Sequence, residues 1–385
     1  MLACLSANGG VEYSGTEPLK KLIVGTIEGI YIFERESVQS QWNKSEVIRP
    51  DFHVGALLFE PKSKLLFAGT HGGGGLWRSA DDGKTWVELT NGLTHPHIYS
   101  VQCQYIKSGN VEKTRLWVGA EPASLFFSDD LGDTWTERES LKSVPENENW
   151  TFPPPPHIGH VKGVAWHDST PDTLFTLVEQ GGLFKTTDAG ITWTELKGYL
   201  IGDQQFYRDS HRVCIRKSDA NFMLFATGDG LCKSLDGGET WCYLMTKEGQ
   251  IGYPDAMFID AHDENKIVIG GPSSAPETWR ETQFASGTVL VSTDSGETWT
   301  EKTQGMNAPL KGNIEAMGMY ASENSVAYVA GTAMGEVFLS EDGCDSWACL
   351  ADDLPPISKA GHYRWFLSDA EREQIEERMR AWKDA

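Results

Sequence analysis

The chain has no long apolar run, so no stretch of it is suited to span a membrane as a helix. The first ten residues lack the basic-then-apolar order of a secretory leader. Basic residues are outnumbered, with 33 Lys and Arg against 55 Asp and Glu, a formal charge of −22. A surface so acidic repels phosphate backbones and anionic lipids, which excludes nucleic acid and membrane surfaces as expected partners. Cysteine is sparse and oddly counted: seven residues, none in a CxxC pair. That argues against a disulfide framework or a zinc knuckle, and a reducing, cytoplasmic compartment is the expectation. There is no nucleophile elbow, phosphate loop, dinucleotide fingerprint or HExxH helix.

What the chain does have is 40 Gly, 14 Trp and a repeat. Six segments share Ser/Thr-x-Asp-x-Gly-x-Thr-Trp: SADDGKTW (79–86), SDDLGDTW (128–135), TTDAGITW (186–193), SLDGGETW (234–241), STDSGETW (292–299) and SEDGCDSW (340–347). In such a turn Asp accepts from nearby backbone amides, glycine takes a positive φ and Trp starts the next strand. Asp81, Asp130, Asp188, Asp236, Asp294 and Asp342 therefore read as structural. Cys344 and Ser346 break the pattern in the last copy, where a looser turn is expected.

Apolar strands precede each segment, such as HVGALLF (53–59), LLFAGT (65–70) and GLWRS (75–79). Four strands per repeat are the blades of a β-propeller. A seventh blade is expected at the ends, where KLIVGTIEGIYIF (21–33) supplies two strands and KAGHYRWF (359–366) is read as the inner strand that closes the ring. The expected fold is thus all-β: one seven-bladed propeller domain over 1–385, with blades from about 20 to 366 and a C-terminal helix over 368–382. Ser368 and Glu371 suit a capping box there, and the helix should pack on the propeller, in a monomer or weak dimer.

The octapeptides resemble those of the Asp-box, or BNR, repeat family, and among its members the chain is most similar to bacterial sialidase-like propellers labelled glycosyl hydrolases. The resemblance covers about residues 20 to 366. It implies the propeller and a glycosyl-hydrolase-like or binding role. Ile48-Arg49-Pro50 runs in the wrong order for the sialidase Arg-Ile-Pro motif, so no sialidase catalytic residue is carried over and classical sialidase activity is not expected.

Function is expected on the loop face opposite the octapeptide turns. The residues heading the inner strands are His53, His97, His160, His211, Asp255, Glu315 and His362, which takes five of the ten histidines. Two readings stay open. A subset of this ring holds a divalent metal (zinc, manganese, iron or nickel), or the repeat copies a His that bonds a neighbouring blade's backbone. Glu28, His71, Glu121, Glu179 and Asp229 follow the second strands and rim the same mouth. Insertions at 146–159 and 272–287 bring Trp150, Trp279 and Arg280, and the 202–210 loop brings Tyr207 and Arg208. Catalytic candidates are Glu121, Glu179, Asp229 and His211, and ligand-binding candidates are Glu28, His71, Trp150, Tyr207, Arg208, Trp279 and Arg280. The expected activity is binding of a small polar or carbohydrate-like molecule, with metal-assisted hydrolysis or elimination. The alternative is a glycan- or protein-binding propeller, or an assembly scaffold, without turnover.

Overall fold

A computed structural model describes residues 2–49, 51–108, 111–153, 156–200, 208–359 and 361–383. Seven sheets follow one another around a ring, each built on four strands running from the axis outward. Six have consecutive antiparallel strands, with inner strands His53–Glu60, His97–Ser108, Val161–Trp166, Ser210–Arg216, Ala256–Ile259 and Ile314–Ala321. These form blades 2 to 7. Blade 1 contains Lys21–Thr26, Gly29–Glu34 and Asn43–Lys44.

Many strands are buried on both faces because each sheet is sandwiched between two others. The apolar clusters accordingly bridge neighbours. Phe67 of blade 2 meets Ile98, Leu116 and Phe126 of blade 3, and Phe258 of blade 6 meets Met317, Tyr328 and Phe338 of blade 7. One cluster joins blades 7, 1 and 2, so hydrophobic contact runs across the point where the ring closes.

The closing strand is not the C-terminal segment. Blade 1 takes Leu2–Leu5 as its innermost strand, parallel to Lys21–Val24, and Glu12–Ser14 adds in parallel to the inner strand of blade 7. Residues 361–366 instead include a 3-10 turn, His362–Trp365, lying across the channel mouth. The reason is chemical. Lys359 and His362 are drawn to carboxylates at the head of the channel, whereas Leu2–Leu5 has only apolar side chains to bury.

The octapeptide turns lie at the lower rim and bond alike. Asp81 accepts from Ser79 Oγ at 2.8 Å, Thr85 N at 2.8 Å and Thr85 Oγ1 at 2.6 Å. These donors, the Thr85 hydroxyl foremost, hold the Asp81 carboxyl down to about 2. The last turn is not looser: Ser346 N and Oγ donate to Asp342 at 2.9 and 2.5 Å. Two consecutive residues there have positive φ, Gly343 at 83° and Cys344 at 73°. The left-handed cysteine is strained, and burial of its side chain offsets that strain. All seven cysteines are free thiols.

Residues 355–359 and 361–383 form a strap over the upper face. Its helix, Asp369–Lys383, begins with the expected capping box: Ser368 N donates to Glu371 Oε2 at 2.7 Å and Glu371 N to Ser368 Oγ at 3.3 Å. Ile375 is buried with Tyr363, Phe366 and Trp279, and Arg378 bonds Glu28 at 2.7 Å, so the helix packs on its own propeller. Among the described residues no helix is long and apolar enough to cross a membrane.

Candidate functional site

The head of each inner strand pairs with the end of the second strand, as His53 does with His71 and Ser210 with Thr227. In these blades polar side chains from the two strands therefore meet at the upper mouth. Six of the seven ring residues sit at or beside the heads of inner strands. The seventh, His362, arrives from the strap, and its Nδ1 still reaches Glu315 Oε1 at 3.2 Å.

The side chains separate into groups. His53 donates from Nε2 to Ser358 O at 2.9 Å. His71 lies against His53 and Tyr99, and neither of its buried ring nitrogens has a hydrogen-bond partner. His97 heads its strand, half-buried, with its ring across from Gly73. His160 stacks on Tyr99 at 3.5 Å between ring centres, meets Glu179 Oε2 at 2.9 Å and lies 3.7 Å from Glu121 Oε2. His211 Nδ1 donates to Pro254 O at 2.6 Å.

At the axis two lysines, Lys162 and Lys359, stand among these acids, and both are buried. Lys162 Nζ is 3.4 Å from Glu179 and from Asp255, while Lys359 Nζ bonds Asp255 and lies 3.8 Å from Glu179. Glu315 accepts from Ser358 Oγ at 2.9 Å and Lys359 N at 2.8 Å. Burial would raise the Glu179 and Asp255 carboxyls, but the two ammonium groups outweigh it and hold both well below the ordinary range. Lys162 carries a visible sequence signal, a lone cation inside the apolar run HVKGVAW. Lys359 carries none.

Above this floor opens a pocket of about 350 Å³. Phe152, Tyr253 and Trp365 give it apolar walls, and Glu179, Asp209, Asp229 and Glu277 give it carboxyl groups. The pairing of Ser210 with Thr227 brings Asp209 beside Gly228, whose amide donates to Asp209 O at 2.8 Å. A Cβ on Gly228 would come within 2.8 Å of Asp209 Oδ2, so only glycine fits between the two acids. Their environments differ. Asp209 accepts from Tyr253 OH at 2.7 Å and lies 3.2 Å from His211 Nε2. Burial raises its carboxyl, yet the close contact with His211 more than compensates and leaves it low. Asp229 has no such partner: Oδ2 is buried and unbonded, and burial pushes its carboxyl up.

Other expectations fare differently. Trp279 does not roof the pocket. It is fully buried in the Pro276–Thr282 helix, donating to Ser274 O and packing on Phe366 and His362, because its large ring anchors the strap. Arg280 belongs to the same helix. Trp150 packs edge-on against Phe184, while its neighbour Phe152 reaches the pocket. Arg208 turns to Glu195 at 3.5 Å, and Glu28 is taken up by Arg378. Tyr207 lies outside the described residues.

The buried histidines make stability pH-dependent. Burial holds the His53 imidazole down to about 4 and His71 well below its usual value. An unfolded ring binds its proton near pH 6.5, so between about 6.5 and 4 the unfolded chain holds more protons than the fold. Stability should therefore fall through that window by up to roughly 1.4 kcal/mol per pH unit for each such ring. Urea midpoints measured across this range should decline, and His53→Gln should flatten the decline. An unchanged slope in that variant would remove His53 from the explanation.

No protein-family model matches the chain. The xyloglucanase Xgh74A of Acetivibrio thermocellus is 24% identical over 328 residues, covering 75% of this chain and 32% of that protein. A xyloglucanase from a Paenibacillus species is 25% identical over 262 residues, covering 63% of this chain and 20% of that protein. The chain thus spans a third or less of the length of these curated relatives. Among solved structures, an ancestral GH74 enzyme superposes with a TM-score of 0.55 at 14% identity, over 74% of this chain and 35% of that one, a likeness of fold. The chain is a seven-bladed propeller similar to those of GH74 xyloglucanases.

Proposed function

We propose that the upper pocket binds a carbohydrate-like ligand and cleaves a glycosidic bond, with Asp229 as general acid and Asp209 orienting the attacking water on the opposite side. The chain is, on this reading, an Asp-box repeat propeller of glycosyl-hydrolase type. The observation that carries it is the divergence of two carboxyls lining one pocket: Asp209 is held ionised and Asp229 is pushed towards its protonated form. Acid–base pairs work when environment separates their proton affinities in this way. The aromatic walls suit the apolar faces of sugar rings, and the similarity to xyloglucanases supports a β-glucan-type substrate.

The test is release of reducing ends from xyloglucan, cello-oligosaccharides and aryl glycosides. Asp229→Asn should lower kcat by roughly 10²–10⁴-fold, the usual range for losing a general acid, while calorimetry shows ligand binding retained. Turnover in Asp229→Asn equal to wild type would end the assignment. Tight binding by a wild-type protein that never turns over would leave a glycan-binding module.

A further inference from the structure

Four buried carboxylates, Glu179, Asp209, Asp255 and Glu315, converge on the channel head and, among the described residues, meet two buried ammonium groups, Lys162 and Lys359. The lysines concentrate on Glu179 and Asp255, and Glu315 is bonded by Ser358, Lys359 N and His362. Asp209 sits on the far side, with Tyr253 and His211 as its polar side-chain neighbours.

His211 is the informative group. It is 2% exposed. Its Nδ1 faces the Pro254 carbonyl at 2.6 Å, and a carbonyl only accepts, so Nδ1 carries the ring proton. In the neutral imidazole Nε2 is then left with a lone pair. That nitrogen is buried, has no hydrogen-bond partner, and points at the Asp209 carboxylate, 3.2 Å from Oδ1. Two electron-rich atoms this close require a positive charge between or beside them. A second ring proton or a bound cation would each supply that charge. Glu179 offers a third oxygen, and one ligand atom from each of the three residues lies within 4.8 Å of the others.

We infer that Glu179, Asp209 and His211 form a binding site for one divalent transition cation at the floor of the pocket. One nitrogen and two oxygen donors suit Zn²⁺ or Mn²⁺. A backbone carbonyl fixing Nδ1 so that Nε2 faces the ion is the usual support for a ligating histidine. Three protein ligands leave coordination positions open towards the pocket, the arrangement of a working rather than a closed site. Two positive charges would also balance the excess of the four carboxylates over the two lysines. The site shares Asp209 with the proposed glycoside cleavage but not the general acid Asp229, so metal binding and turnover can be measured separately.

Full-length protein freed of metal by chelation should bind one equivalent of Zn²⁺ or Mn²⁺ by calorimetry, with a raised Tm. His211→Gln and Glu179→Gln should each weaken that binding by about tenfold or more, and Asp229→Asn should leave it unchanged. In the wild type, ¹⁵N correlation spectra should show a proton on Nδ1 alone and a shift of the Nε2 signal on adding Zn²⁺, a readout independent of how the variants fold. Absence of binding, binding undiminished in His211→Gln, or a doubly protonated His211 in the metal-free protein at neutral pH would each overturn the site. Metal binding without glycoside turnover would fault the proposed reaction and leave the site standing.

Discussion

Replacing Lys359 with methionine should destabilise the propeller by about 3–5 kcal/mol, the usual range when one partner of a buried ion pair is removed. Methionine keeps most of the side chain's length and apolar stem, so the change is chiefly electrostatic. Asp255 is fully buried, and its remaining cation is Lys162, 3.4 Å away and shared with Glu179. One buried ammonium would then face two buried carboxylates. The deficit should depend on pH with a definite sign. In the wild type the Asp255 and Glu179 carboxyls are held low, so their stabilising contribution exists above the unfolded value near 4 and disappears as pH falls through the folded values. In Lys359→Met those carboxyls rise and one can protonate, so the gap between variant and wild type should narrow on acidification. Guanidinium unfolding near neutrality and near the carboxyl range measures both. Lys359→Met combined with Asp255→Asn should recover part of the loss, since the charge left unpaired is removed as well. A deficit that stays constant with pH and is not eased by the second substitution would show that packing of the strap, not charge, is what Lys359 supplies.

The two tiers of the molecule were unequally legible. The octapeptide turns could be read because their chemistry is local: hydroxyl, carboxylate and left-handed backbone lie within a few residues of each other. The inner-strand heads were legible for a related reason, since repeat register fixes which residue reaches the mouth. Ring closure was not. Leu2–Leu5 is a four-residue apolar run with no turn signal, while KAGHYRWF looks more like a strand. What decides between them is long-range: Lys359 and His362 are held by Asp255 and Glu315, more than forty residues away in sequence. The same limit hid the Asp209–Asp229 pair, whose opposite proton affinities come from Tyr253 and His211 on one side and the lack of any partner on the other. Residue type and spacing place these groups on one face, but burial and neighbours give them different chemistry.

Deleting residues 2–14 should abolish the cooperative fold, because this segment is both a strand and a plug. Leu2, Ala3, Cys4 and Leu5 are all buried against blade 1 and its neighbours. Beyond them the chain crosses the channel: Asn8 N donates to Gly55 O at 3.0 Å, Gly10 N to Leu57 O at 2.8 Å, and Arg212 reaches Ala7 O at 3.0 Å. Glu12–Ser14 then pairs with Met319–Ala321. One short segment therefore touches blades 1, 2, 5 and 7. Burying each of its two leucines contributes about 1.5–3 kcal/mol, before the strand hydrogen bonds are considered. The total approaches the 5–15 kcal/mol by which whole domains are stable. Deletion also exposes the inner edge of blade 1, and an open edge invites aggregation. The truncated chain should be insoluble or should lose its sharp thermal transition, and a synthetic peptide of residues 2–15 added in trans should restore it. Leu5→Ala gives a milder reading of the same contact, with an expected loss of about 2–5 kcal/mol for a large-to-small change in a closed core. If the truncated protein melted at the wild-type temperature, the ring would have to be held shut by blade-to-blade packing alone.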